Sequence, residues 1–166
     1  HVRAYDIVHR HRADAMVSIA QHVLALSACN PKSWRDRMSV RARSYIFNLM
    51  FVDALHTGSL RMPGVFWEKL RFGHTLDFIG INYYTRDFGP NTGLDLPGWM
   101  GGVCGLDNRQ HVGRLNDLGW EVYPEGLAQY LREFSRFKLP ILVTENGVPA
   151  REDDDRWVFI YMHLWQ

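Results

Sequence analysis

Glu145 is the residue best placed to do chemistry. It follows the apolar run Ile141-Leu142-Val143 and stands in Thr144-Glu145-Asn146-Gly147. The run is too short for a helix and rich in β-branched residues, so it reads as a strand buried on both faces, entered at Pro140. A carboxylate at the C-terminal end of a buried parallel strand stands where α/β barrels hold their reacting groups, and carboxylates serve as nucleophiles or as general acids and bases. Gly147 then lets the backbone turn away. A second stretch, Asp77 to Tyr84, reads as another strand. Its alternation puts Asn82 and Tyr84 on one face and Tyr83 on the other. A third candidate is Trp120, with two readings: a face for sugar stacking, or packing of the loop before the next helix. Glu145 and Tyr84 also have bland readings, as a solvated strand-end carboxylate and an ordinary core residue.

Three stretches together carry a resemblance. Ile141-Leu142-Val143-Thr144-Glu145-Asn146-Gly147 is similar to the Thr-Glu-Asn-Gly nucleophile motif of family 1 glycoside hydrolases, the β-glucosidase family. Asp77-Phe78-Ile79-Gly80-Ile81-Asn82-Tyr83-Tyr84 resembles the family's Asn-Tyr-Tyr strand. Gly119-Trp120-Glu121-Val122-Tyr123-Pro124-Glu125-Gly126-Leu127 resembles its Gly-Trp-Glu segment. Thr-Glu-Asn-Gly alone would be weak; three motifs in the family's order are not. Arg156, Phe159 and His163-Leu164 resemble a further family helix, with Phe where Tyr is usual, and Phe47 to Gly58 resembles its helix ending in Thr-Gly.

The resemblance implies a retaining O-glycosyl hydrolase acting on β-glucosides or β-galactosides, with a β-linked saccharide or an aryl or alkyl glycoside as substrate and no cofactor. Glu145 matches the nucleophile that forms the glycosyl-enzyme intermediate, and it must be ionised to attack. Tyr84 matches the tyrosine that steers the nucleophile, and Asn82 a polar residue lining the same site. Retaining enzymes need a second carboxyl group about 5 Å from the first. In the family that acid/base lies in Asn-Glu-Pro. The glutamates here are Glu68, Glu121, Glu125, Glu133, Glu145 and Glu152, and none follows Asn and precedes Pro. The family's His-Trp motif and its late Trp and Glu ligands are missing too. Half of a catalytic pair predicts a chain inactive by itself, with the acid/base supplied from outside it. The alternative is a catalytically inactive sugar-binding or scaffold protein that keeps the fold. A nucleotide-binding α/β domain is a weaker third reading, because no Gly-rich phosphate loop follows any strand.

The elements that must position these residues follow from periodicity. Val2, Tyr5, Val8 and Ala15 predict an amphipathic helix over 2–15, and Met16 to Ala20 a short buried strand. Residues 21 to 39 read as a loop with a turn at Asn30-Pro31 and a helix cap at Ser33. A long helix is predicted over Val40 to Leu55, with Phe47, Phe51, Ala54 and Leu55 on one face and Gly58 as its cap. Leu60 to Leu76 reads as a connector with a turn at Pro63-Gly64. Residues 85 to 119 read as a long loop, which the resemblance places over a sugar cleft. Leu127, Tyr130, Leu131 and Phe134 predict a helix over 125–137. Trp157, Ile160, Tyr161 and Leu164 predict another, begun by Asp153, Asp154 and Asp155 at the positive helix end.

This alternation predicts α/β architecture with three parallel strands. By resemblance it is part of a TIM (β/α)8 barrel, roughly strands 5 to 7 with their helices. Residues 1–166 are then one incomplete catalytic domain, lacking the N-terminal half and last strand. Three strands cannot close such a barrel, so the remainder is expected from the same precursor or another chain. A self-sufficient flavodoxin-like domain would need more strands.

Composition bounds the rest. With 46% hydrophobic and 22% charged residues, the chain fits the globular class. A net charge of +1 gives no strong pull towards nucleic acid or acidic lipid. No run approaches the roughly 18 apolar residues of a membrane span. Two cysteines, Cys29 and Cys104, make no disulfide framework, and no signal-peptide pattern opens the chain. Reduced cysteines in a cytoplasmic setting are the default expectation, with secretion or a vacuolar or plastid location as alternatives. The missing initiator Met is a first hint that the chain starts in the middle of something. His9, His11 and His22 complete no metal-ligand pattern and read as solvated or capping residues; no metal is expected.

Overall fold

The computed structural model describes residues 1–62, 64–90, 104 and 112–166. Its centre is a three-stranded sheet of β1 (Ala20–Ala28), β4 (Ile79–Gly89) and β5 (Ile141–Asn146), in the order β1-β4-β5 and parallel throughout. Before β1 lies α1 (Val2–His11). Between β1 and β4 come α2 (Trp34–Ser44), a π-helical stretch Tyr45–Leu49, α3 (Met50–Thr57) and an antiparallel hairpin of β2 (Ser59–Met62) and β3 (Phe66–Lys69). The helix α4 (Glu125–Ser135) connects β4 to β5, and α5 (Asp153–Leu164) follows. The parallel α/β arrangement is the one expected from the sequence.

One face of the sheet is covered. Val23 and Ala25 of β1 and Ile79, Ile81 and Tyr83 of β4 are buried against Leu127, Tyr130 and Phe134 of α4 and Val52 and Leu55 of α3. Residues two apart share a face, so Ala20, His22, Gly80 and Asn82 point the other way. No helix covers that second face among the described residues. The approach of α4 is close: a Cβ on Gly126 would run into the Tyr83 hydroxyl and lie 2.9 Å from the Ala25 Cβ. Tyr83 hydroxyl donates to the Tyr123 carbonyl at 2.5 Å, which satisfies the one polar atom of a fully buried ring.

Several elements depart from the sequence expectations. The first strand is Ala20–Ala28, not Met16 to Ala20, and it occupies much of the predicted loop. Its residues are held by their pairing with β4, which overrides the weak strand propensity of Gln21, His22 and Ser27. β4 runs to Gly89, past the expected end at Tyr84. The connector after Gly58 holds the hairpin; Gly64 has φ 75°, while Pro63 lies outside the described residues. Most of the predicted loop over the cleft, residues 91–103 and 105–111, also lies outside them.

The long helix was expected to bury Phe47 and Phe51. Both are exposed, and Asn48, Met50 and Val52 are buried instead. The π-helical turn is the cause, because its extra residue rotates everything around it relative to an ideal helix. Asn48 is thereby aimed at β1, where its amide nitrogen donates to Leu24 O at 3.0 Å and its Oδ1 accepts from Leu24 N at 2.8 Å. At that point β1 slips past β4, with Val23 opposite Tyr83 but Ala25 opposite Arg86. The Asn48 side chain takes the place of a neighbouring strand for the Leu24 peptide.

β5 was expected to be buried on both faces, yet Leu142 and Val143 are 54% and 39% exposed. Among the described residues it has a neighbour on one side only, so it is an edge strand there. Likewise α5 buries Phe159 and His163 rather than Trp157, Ile160, Tyr161 and Leu164. With that face it packs against α4, and the His163 ring centre lies 5.9 Å from that of Tyr83 in β4, while its outer face is exposed. Cys29 and Cys104, expected to be reduced, form a disulfide. Cys29 directly follows β1, so proximity at the sheet rim brings together two residues 75 apart in sequence. Gly147 adopts no left-handed backbone conformation, so the turn after β5 does not depend on it.

Candidate active site

Register decides which residues share the open face. β4 and β5 pair Ile81 with Val143, but Asn82 with Glu145. β5 therefore carries one extra residue, Thr144, at a bulge. In an unbroken ladder Thr144 would stand opposite Asn82, and Glu145 opposite Tyr83. A slip of one residue exchanges faces. The bulge thus moves Glu145 off the helix-covered side of Tyr83 and onto the side of Asn82. The Thr144 hydroxyl donates to Asn82 Oδ1 and ties the bulge to the neighbouring strand. Asn146 secures the far side, with its Nδ2 donating to Tyr83 O at 2.9 Å.

Tyr84 hydroxyl donates to Glu145 Oε2. This bond raises the Tyr84 pKa above its ordinary value, with burial and repulsion from the Glu145 charge as lesser causes. The structure therefore brings together Glu145, Tyr84 and Asn82, with Thr144 as an unforeseen member. Glu145 is exposed on this face, and Asn82 and Tyr84 are half-buried.

Trp120 stands apart from this set. It lies on the segment before α4, is 45% exposed, and forms a tight turn with Asn116, whose Oδ1 accepts from Trp120 N at 3.0 Å. Its neighbour Glu121 turns inward. There it binds Arg86 twice, from Nε at 2.7 Å and from Nη2 at 2.6 Å, and accepts from Gly113 N at 2.6 Å. The Arg86 guanidinium also lies 4.0 Å from the Tyr123 ring centre. Sequence patterning singled out neither Arg86 nor Glu121 as a pair. They lie 35 residues apart, and only the fold makes them neighbours. They lock this segment to the end of β4, and through it fix where α4 begins. A cavity of about 460 Å³ lies beside them, lined by Arg86, Glu121, Tyr123, Val158, Phe159 and Met162 among others, and is not bordered by Glu145.

His22 was missed. It is the register partner of Asn82, and its ring centre lies 5.7 Å from that of Tyr84. With β1 placed at Met16 to Ala20, nothing assigned His22 to a face; alternation along the observed strand does. His9 and His11 lie on α1, away from it. Among the described residues no group of three or more His, Cys, Asp or Glu side chains could hold a metal ion, and no helix is long and apolar enough to cross a membrane.

An exposed carboxylate at the end of a parallel strand, held by a tyrosine hydroxyl, is suited to attack an electrophilic carbon presented from the open face. Comparisons with known proteins agree on one family. The family model described as Glycosyl hydrolase family 1 matches residues 1–163. The chain is 31% identical to a β-galactosidase of Sulfolobus acidocaldarius, with 100% of this chain and 34% of that protein covered. It is 30% identical to a β-galactosidase of Saccharolobus solfataricus, over 100% of this chain and 34% of that protein. Among solved structures, a β-glycosidase from Pyrococcus horikoshii superposes with a TM-score of 0.78 at 28% identity, covering 99% of this chain and 37% of that one. A family 1 β-glucosidase from Thermotoga maritima shares the fold with a TM-score of 0.77 at 20% identity, covering 99% and 40% of the two chains. The chain spans about a third of the length of the curated relatives that cover it whole.

Proposed function

Because this chain belongs to glycosyl hydrolase family 1, we propose that it supplies the nucleophile half of a retaining β-glycosidase built on a TIM barrel. The observation that carries the reading is the placement of Glu145: the bulge at Thr144 puts it on the open face, where it accepts the Tyr84 hydroxyl beside Asn82.

In this reading Glu145 attacks the anomeric carbon and forms a covalent glycosyl-enzyme intermediate, which water then hydrolyses. The leaving oxygen takes a proton from a second carboxyl group, which afterwards deprotonates the water. That group belongs to the remainder of the barrel. None of the six glutamates stands in the expected motif, and Glu121 is buried in its pair with Arg86. Tyr84 holds the carboxylate in line for attack. Trp120 offers an exposed aromatic face on the segment before α4. The substrate is a β-linked saccharide or an aryl or alkyl glycoside.

The test is labelling of the complete enzyme with a 2-fluoro glycoside, read by peptide mass. A covalent adduct on Glu145 is expected. An adduct elsewhere, or none in an enzyme that turns over β-glycosides, would overturn the assignment. The 166-residue chain alone is expected to show no turnover of an aryl β-glucoside. A complete protein that binds such glycosides without labelling or turnover would favour the inactive sugar-binding alternative.

A further inference from the structure

Three residues stand in one row across the sheet. His22 is the register partner of Asn82, and Asn82 that of Glu145. All three lie on the face that no described helix covers. The His22 imidazole is wedged between two rings: Phe47 meets it edge-on with centres 5.7 Å apart, and Tyr84 lies tilted at 5.7 Å. Contacts on two sides fix the plane of the ring. No hydrogen bond engages either of its ring nitrogens among the described residues, and the side chain is exposed. A polar ring of set orientation with both nitrogens free has unused capacity to donate one hydrogen bond and accept another.

Distance narrows what it can do. His22 and Glu145 are two strands apart, about 10 Å at the usual strand spacing. Side chains stand roughly perpendicular to a sheet, so they keep that separation. Retaining glycosidases hold their two reacting carboxyl groups about 5 Å apart. His22 is thus too distant to act on Glu145 as a proton partner. A sugar attached through its anomeric carbon at Glu145 and lying along the row would bring its hydroxyl groups over Asn82 and then His22.

Resting on the β-glycosidase reading above, we propose that His22 is a substrate-binding residue of this site, whose imidazole hydrogen-bonds a hydroxyl group of the bound glycoside.

The experiment uses the complete enzyme, His22→Ala and His22→Asn, and a set of aryl β-glycosides each lacking one hydroxyl. His22→Ala is expected to lose about 10- to 100-fold in kcat/KM on the parent glycoside. On one deoxy glycoside it should lose almost nothing more, because the partner hydroxyl is already gone. His22→Asn, which keeps a donor and an acceptor, should recover part of the loss. Equal losses on every deoxy glycoside, or no loss on the parent, overturn the proposal. Labelling of Glu145 by the 2-fluoro glycoside in the unaltered enzyme and an unchanged Tm of the variants separate the failures. Without that label the β-glycosidase reading itself falls; with it, only the role of His22 is at stake.

Discussion

Tyr84 on β4 donates its hydroxyl to the carboxylate of Glu145 on β5, across 61 residues of sequence. The tyrosine proton is held more tightly than usual because of this bond. A raised Tyr84 pKa keeps the donor protonated, and the bond intact, up to and beyond the ordinary tyrosine value near 10. Tyr84→Phe keeps the ring and removes the donor. A hydrogen bond to a charged group is worth about 1.5–3 kcal/mol, so kcat of the complete enzyme should fall about 10- to 100-fold. An unchanged kcat would show that Glu145 needs no steering from this hydroxyl.

The bulge at Thr144 makes a sharper demand. Deleting Thr144 restores an unbroken ladder and returns Glu145 to the side of Tyr83. The expected result is loss of 2-fluoro glycoside labelling. Thr144→Val keeps the residue count and loses only the hydroxyl bond to Asn82, so it should still label. Labelling in the deletion variant would mean that register does not set the orientation of Glu145.

Asp77 should govern part of the acid stability. It lies before β4 and accepts from Tyr5 Oη at 2.6 Å, Val17 N at 2.7 Å and His9 Nε2 at 2.9 Å, which ties α1 to the sheet. Burial is the largest single influence and would raise its pKa, but these donors together outweigh it and hold the carboxyl below its usual range. A lowered folded-state pKa gives stability that is present above the unfolded value near 3.9 and lost as pH falls through the folded value. Asp77→Asn should therefore be less stable by about 1–3 kcal/mol at neutral pH, with the gap narrowing below pH 4. Thermal unfolding at pH 7 and pH 3 checks this; a gap that stays constant with pH would count against it. Tyr5 belongs to the same cluster: burial first, then Asp77, push its pKa up to about 12.

The Cys29–Cys104 bond should act as a staple. It closes a loop across a sequence separation of 75, and loop-closure entropy puts the associated stability at roughly 4 kcal/mol. Cys29→Ser or full reduction should lower Tm by several degrees. Thiol labelling of the protein taken directly from cells separates a persistent bond from the reduced, cytoplasmic state that the low cysteine count suggests. An unchanged Tm after verified reduction would remove the staple role.

The chain itself marked the candidate residues. Glu145 after an apolar run, and Asn82 and Tyr84 two apart on a strand, are local patterns that survive without a fold, because side-chain alternation is a property of the strand alone. The parallel α/β order was legible for the same reason. What the sequence could not decide were relations between distant strands. The Thr144 bulge, the row of His22 with Asn82 and Glu145, the Asn48 clamp on Leu24 and the Arg86–Glu121 pair all depend on register and on a π-helical turn. These are set by how separate elements share hydrogen bonds and space. Helix periodicity pointed to Phe47 and Trp157 as core, but both stand exposed, since burial depends on what lies opposite a face and not on the face itself.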